Sequence, residues 1–195
     1  MSRRPRHAST PPHPLLRAAV PADARFTAAL RGERHEFRSR WDTALQILRL
    51  AAVSDAFLGQ VLYRAKARLQ RLRIPLLPRV AHGLAVSSTG ISIGDRALVH
   101  PGVYIVHGQV VIDGPVEIHR GAVISPGVVI DGERGSAGTT IGPGVSIGTG
   151  AKILGPVRVG AKARIGANAV VVEDVPAGAT AVGVPAGTGG GTREG

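Results

Sequence analysis

The chain has 195 residues, enough for one domain with a continuous core and an appendage; aromatics make up 3% against 27 Gly and 14 Pro, so the core must be aliphatic and the turns many. The absence of cysteine excludes disulfides, zinc–cysteine sites and a thiol nucleophile, and no apolar run of about 18 residues is present to span a bilayer. The net charge of +11 is lopsided: residues 1–80 carry 16 Lys and Arg against 5 Asp and Glu, whereas residues 81–195 carry 8 of each.

Residues 1–38 are rich in Arg, Pro and Ala and lack sustained periodicity, which predicts a basic, flexible tail. The apolar patch Leu15–Val20 is interrupted by Arg17, too short for a secretory signal, so a cytoplasmic protein is expected. Basic segments of this kind bind nucleic acid or anionic membrane surfaces. Here a weak anionic-surface contact is the expectation, and no nucleic acid. Residues 39–80 read as a helical segment. Trp41, Leu45, Leu48 and Ala52 share one face; Leu58, Val61, Leu62, Ala65, Leu69 and Leu72 repeat the pattern after a break at or before Gly59. Arg64, Lys66, Arg68, Arg71 and Arg73 crowd the second helix, and Pro75 and Pro78 stop it.

Across residues 81–186 the rhythm changes. Aliphatic β-branched residues recur at 93, 99, 105, 112, 118, 124, 130, 141, 147, 153, 159, 165 and 171, in steps of six except for seven at 105→112 and eleven at 130→141. The frame one residue later is mostly polar or glycine, so the phase is real. A six-residue unit is one short strand and a turn, and three units close a triangular coil with the anchor pointing inward. The expected fold is all-β: a left-handed parallel β-helix of hexapeptide repeats, preceded by a small α-helical segment and followed by a flexible tail at 187–195. Taken in order, the anchors fall on three faces: 93, 112, 130, 153, 171; then 99, 118, 141, 159, 177; then 105, 124, 147, 165, 183. Residues two beyond the third-face anchors then form a column of His107, Pro126, Thr149 and Ala167. His107 and Ala167 lie three coils apart in it, roughly 14–15 Å at ~4.8 Å per strand.

His100 and His119 take equivalent places on adjacent coils and should stack on the second face. Two imidazoles suggest a metal, but no third ligand is evident, so solvated histidines are the expectation and no metal is assigned. Asp-Gly at Asp113-Gly114 and Asp131-Gly132 is ordinary corner chemistry. Asp113, soon after His107, is a candidate to orient that histidine.

These repeats, with Gly148-Thr149-Gly150-Ala151-Lys152-Ile153-Leu154-Gly155, the His of Gly102-Val103-Tyr104-Ile105-Val106-His107 and the ending Gly183-Val184-Pro185-Ala186, resemble bacterial serine O-acetyltransferases. The likeness runs from about Ile91 to Ala186. It implies a homotrimer with acetyl-CoA as co-substrate in the groove between neighbouring prisms, and His107 as the catalytic base that deprotonates an acceptor hydroxyl. It also implies cofactor contacts at Thr149, Arg164 and Ala167. The reading from the coils agrees, because a column of about 14–15 Å suits an extended pantetheine arm.

The chain departs from the family at two places. Ser92 stands where the family has the Asp that orients the histidine, and a residue near Gly138 stands where a second His holds serine. The loop Asp131–Thr140 is also shorter than the family's. The leading expectation is acetyl transfer from acetyl-CoA to a hydroxyl of serine or a related small acceptor. The alternatives are acetylation of a sugar or polysaccharide precursor, and a non-catalytic trimeric scaffold whose basic helices engage an anionic surface.

Overall fold

The computed structural model describes residues 14–72, 74–133 and 137–189. Four helices come first: α1 (Leu16–Leu30), α2 (Arg40–Val53), α3 (Asp55–Arg71) and α4 (Leu77–Thr89). No single described helix is long and apolar enough to cross a membrane. Short strands follow on three faces. The first face holds β1 (Ile91–Ile93), β4 (Val110–Asp113), β7 (Val129–Asp131), β10 (Lys152–Leu154) and β13 (Val170–Val171). The second holds β2 (Leu98–Val99), β5 (Val116–Ile118), β8 (Thr139–Ile141) and β11 (Arg158–Val159). The third holds β3 (Tyr104–Ile105), β6 (Val123–Ile124), β9 (Ser146–Ile147), β12 (Arg164–Ile165) and β14 (Thr180–Val182), with β15 (Gly187–Gly189) antiparallel at its end.

Every strand pair within a face is parallel except the last, and the hexapeptide units wind as a left-handed β-helix. The anchors stack as the period predicts: Ile93 on Ile112, Ile130, Ile153 and Val171; Val99 on Ile118, Ile141 and Val159; Ile105 on Ile124, Ile147 and Ile165. All are buried. Each contributes roughly 1.5–3 kcal/mol of burial, which is how a core almost without aromatics holds together. The last coil corrects the expected phase. Val159 bridges to Val175 and Ile165 pairs with Ala181, whereas Ala177 and Gly183 are exposed. Val175 is pinned there because its N–H donates to Arg158 O at 2.9 Å, while Asp174 Oδ1 accepts Arg158 N–H at 2.7 Å.

The helices differ from the sequence reading in three ways. α1 lies inside the segment 1–38 expected to be a flexible tail, and its Ala19, Val20, Ala24 and Ala28 are buried; residues 1–13 lie outside the described residues. Residues 81–89, expected in the β-helix, complete α4, and 187–189, expected in the C-terminal tail, form β15; residues 190–195 lie outside the described residues. The buried helical faces are also other than expected. Trp41, Leu45 and Leu48 are exposed, and α2 buries Leu50 instead. α3 buries Phe57, Gln60, Tyr63, Arg64, Lys66 and Ala67, and runs through Gly59 after breaking from α2 at Ser54.

The physical reason is the open end of the β-helix. Its first coil has no coil beneath it, so its carbonyls would be left without donors. α3 supplies them: Gln60 Nε2 donates to Val103 O at 3.0 Å, Tyr63 Oη to Ala97 O at 2.9 Å, Lys66 Nζ to Ile93 O at 2.6 Å and Arg64 Nη2 to His100 O at 3.1 Å. Arg64 Nη1 also donates to Val99 O. A polar helix face is therefore the inward one. Asp23 of α1 completes the arrangement, accepting from Arg64 Nε at 3.1 Å and from Gly102 N at 2.8 Å. Burial pushes the Asp23 carboxyl above its ordinary value, against the opposing pull of Arg64 and the Gly102 N–H.

Candidate active site

His107 follows β3 at the corner leading to the next coil, within the one seven-residue unit. The extra residue is absorbed by Gln109, which has φ 64°. At the same corner of the coils above, Asn168 N–H donates to Thr149 O at 2.8 Å, Gly150 N–H to Pro126 O at 2.9 Å and Gly127 N–H to Gln109 O at 3.0 Å. The lowest rung thus rests on Gln109. His107 and Gly108 stand outside the ladder's hydrogen bonds, so the predicted column holds for Pro126, Thr149 and Ala167 while His107 is offset from it.

Gly108 fixes where His107 sits. A Cβ at Gly108 would lie 1.9 Å from Thr89 O, so the corner packs directly onto the end of α4. The His107 side chain remains 67% exposed, pointing away from the core as its place after an inward Ile requires. Its Nδ1 lies 3.7 Å from Asp55 Oδ1, at the first turn of α3. Ser92, on β1 beside Val111, makes no side-chain hydrogen bond to the described residues. Asp113 is not near this corner. Its Oδ1 would be 2.5 Å from a Cβ on Gly94, and it lines an open cavity of about 450 Å³ with Lys66, Arg79, His82 and Asp95. Its candidacy as the orienting carboxylate is thereby overturned.

Thr149 and Ala167 are exposed on adjacent corners, and Arg164 is exposed on β12, pairing with Ser146 and Thr180. The corners approach closely: a Cβ on Gly148 would stand 2.6 Å from Ala167 N. Small outward side chains over a close-packed backbone leave a shallow track with peptide groups at its floor.

On the second face His100 and His119 stack as expected, with centroids 4.8 Å apart and planes 9° apart. The structure adds the third group that the spacing did not reveal: Glu117 Oε1 lies 2.8 Å from His100 Nε2 and 3.7 Å from His119 Nε2. Its signal was present, because Glu117 and His119 flank an inward anchor and strand alternation puts them on one side. Among the described residues this trio is the set able to hold a metal ion. Parallel rings aim their lone pairs in parallel, however. A metal about 2.0–2.1 Å from both nitrogens would require both rings to tilt. Asp55 was missed for a different reason: nothing in the spacing ties an α3 residue to a β-helix corner.

The family model described as bacterial transferase hexapeptide (six repeats) matches residues 138–172. Comparison with curated protein sequences gives no significant match. Solved structures do match. Serine acetyltransferase from Neisseria gonorrhoeae in complex with serine is 26% identical, with a TM-score of 0.63, covering 88% of this chain and 68% of that one. A serine acetyltransferase in complex with CoA is 27% identical, with a TM-score of 0.63 over 89% of this chain and 69% of that one. The soybean serine acetyltransferase apoenzyme is 30% identical, with a TM-score of 0.53 over 90% of this chain and 69% of that one. With its hexapeptide coils and these relatives, the chain belongs to the hexapeptide-repeat acetyltransferases and resembles the serine O-acetyltransferases among them.

Proposed function

We propose that the protein transfers acetyl from acetyl-CoA to a hydroxyl of a small acceptor, with serine or a close relative of it as the leading acceptor. His107 is the general base. The observation that carries this reading is an exposed imidazole at a corner above which the coils present only the small side chains of Pro126, Thr149 and Ala167. Serine and CoA in complexes of similar enzymes support the chemical class of both substrates. The pantetheine arm would lie over Thr149 and Ala167, with Arg164 near its anionic end. His107 Nε2 takes the hydroxyl proton as the oxygen attacks the thioester carbonyl. The carbon–sulfur bond then breaks, and the CoA thiolate leaves and takes the proton. Backbone N–H groups at the corner are suited to the oxyanion.

The test is thiol release from acetyl-CoA by the purified protein, run over a panel of amino-acid and sugar alcohols. General-base catalysis contributes about 10²–10⁴-fold, so His107→Ala should lower kcat by that factor with CoA affinity kept. Full activity in that variant would remove His107 from the mechanism. Transfer to sugars in preference to serine would favour the second reading, which Ser92 and the short Asp131–Thr140 loop support. Both places depart from the serine enzymes' pattern. The absence of transfer to any acceptor would leave the scaffold.

A further inference from the structure

We propose that Asp55 is the positioning residue for His107, a carboxylate supplied from helix α3 in place of one on strand β1. This deepens the reading of His107 as base and rests on it. An imidazole that accepts a proton at Nε2 must carry its own proton at Nδ1, and that tautomer is selected by an acceptor facing Nδ1. Ser92, on the strand expected to provide one, makes no such contact. Asp55 Oδ1 faces Nδ1 at 3.7 Å. A charge-assisted hydrogen bond needs about 2.7–2.9 Å, a closure of about 0.8–1.0 Å. Catalytic hydrogen bonds are often this long before substrate arrives.

Both partners stand on fixed ground. Asp55 begins a helix capped by Ser54, whose Oγ accepts from Phe57 N at 3.3 Å, and Asp55 Oδ1 accepts Ala56 N–H at 2.8 Å. The helix is tied to the same coil as His107 by Gln60, which donates to Val103 O at 3.0 Å. Gly108 sets the other side: the corner lies so close to the end of α4 that a Cβ there would stand 1.9 Å from Thr89 O. Both side chains are exposed, so the gap is one that side-chain rotation can narrow without moving either element. The 67% and 49% exposure of the two side chains fits a pair that waits for a substrate rather than one that stabilises the fold.

Asp55 also sits in the first turn of α3, where any acid favours the helix, so the test must separate positioning from helix support. The variants are Asp55→Ala and Asp55→Glu in the full chain. Nitrogen-15 NMR of the His107 ring reports its tautomer without any catalytic turnover. The expected result is Nδ1–H in the parent, a shift towards Nε2–H in Asp55→Ala, and partial restoration in Asp55→Glu. In parallel, kcat should fall about 10–100-fold in Asp55→Ala, a part of the 10²–10⁴ that a general base contributes. KM for acetyl-CoA and acceptor should change less than about twofold, with Glu recovering part of kcat. An unchanged tautomer overturns the proposal. So does a raised acceptor KM with kcat intact, which would make Asp55 a substrate contact. If the parent protein transfers acetyl to nothing, the proposed function fails, and the tautomer still decides the Asp55–His107 pairing.

Discussion

Ala167 has an exposed methyl over a corner where backbones of successive coils nearly touch. Filling it is a clean probe of the substrate track, because no core contact is disturbed. Ala167→Trp should leave the circular-dichroism spectrum unchanged and weaken CoA binding in calorimetry at least tenfold. Undiminished binding would put the cofactor elsewhere. At this scale the sequence is informative only where the coil dictates direction. Thr149 and Ala167 were placed outward by counting from their anchors and Arg164 was named by the resemblance alone; the structure has all three exposed. His107 was placed outward by the same count, but its offset from the column was not legible. The count cannot say where a seven-residue unit puts its extra residue. Asp55 was not legible at all, since its neighbour is set by how α3 docks rather than by any local pattern.

At the scale of elements, the β-strands were readable and the helices were misread by face. A strand's inward residue is fixed by alternation, so the anchors 93 to 171 all proved buried. A helix's inward face is fixed by what it packs against, and α3 packs against unpaired carbonyls. Periodicity of apolar residues therefore pointed to Leu58, Val61 and Leu62, while Gln60, Arg64 and Lys66 are the buried ones. The same docking changes what the N-terminal segment does. A flexible tail was expected over residues 1–38, yet Asp23 of α1 lies within it and pairs with Arg64 beneath the first coil. Removing one partner of a buried ion pair typically costs about 3–5 kcal/mol. Asp23→Ala should lose stability of that order in urea unfolding, and so should deletion of residues 1–38. A loss below about 1 kcal/mol would show that the carbonyls of Val99 and His100 satisfy Arg64 without Asp23.

α4 carries a second consequence. Burial, with the Lys66 charge beside it, holds the His82 imidazole below its ordinary value, and Asp95 only partly offsets this. The native state therefore resists taking up a proton that the unfolded chain accepts. Stability from this group is present above the ordinary imidazole value of about 6.5 and is lost as pH falls through it towards the lowered folded value. His82→Gln should shrink the drop in urea midpoint between about pH 7.5 and 5.5. An unaltered drop would assign the acid sensitivity to other groups.

For the whole molecule, the β-helix was legible because one constraint repeats along it, whereas the assembly has to be argued from what a lone chain leaves open. The His107 side chain is 67% exposed, and Thr149 and Ala167 are exposed, with no wall facing them among the described residues. A thioester held there would be largely in water, where oxyanion donors are weak and hydrolysis competes. Trp41, at 87% exposure, with Leu45 and Leu48 forms an apolar stripe on α2 that single chains rarely leave uncovered. Three copies around an axis parallel to the prism would give each track a wall from its neighbour, in a closed arrangement without free ends. Sedimentation equilibrium should accordingly give three times the 20.1 kDa chain mass at micromolar concentration. Each chain brings a net charge of +11, concentrated in its first 80 residues, so assembly works against like-charge repulsion. The trimer should therefore tighten as salt is raised from about 10 mM to 150 mM, over which the screening length falls from about 30 Å to about 8 Å. A stable, fully active monomer across that range would show that one prism builds the site alone.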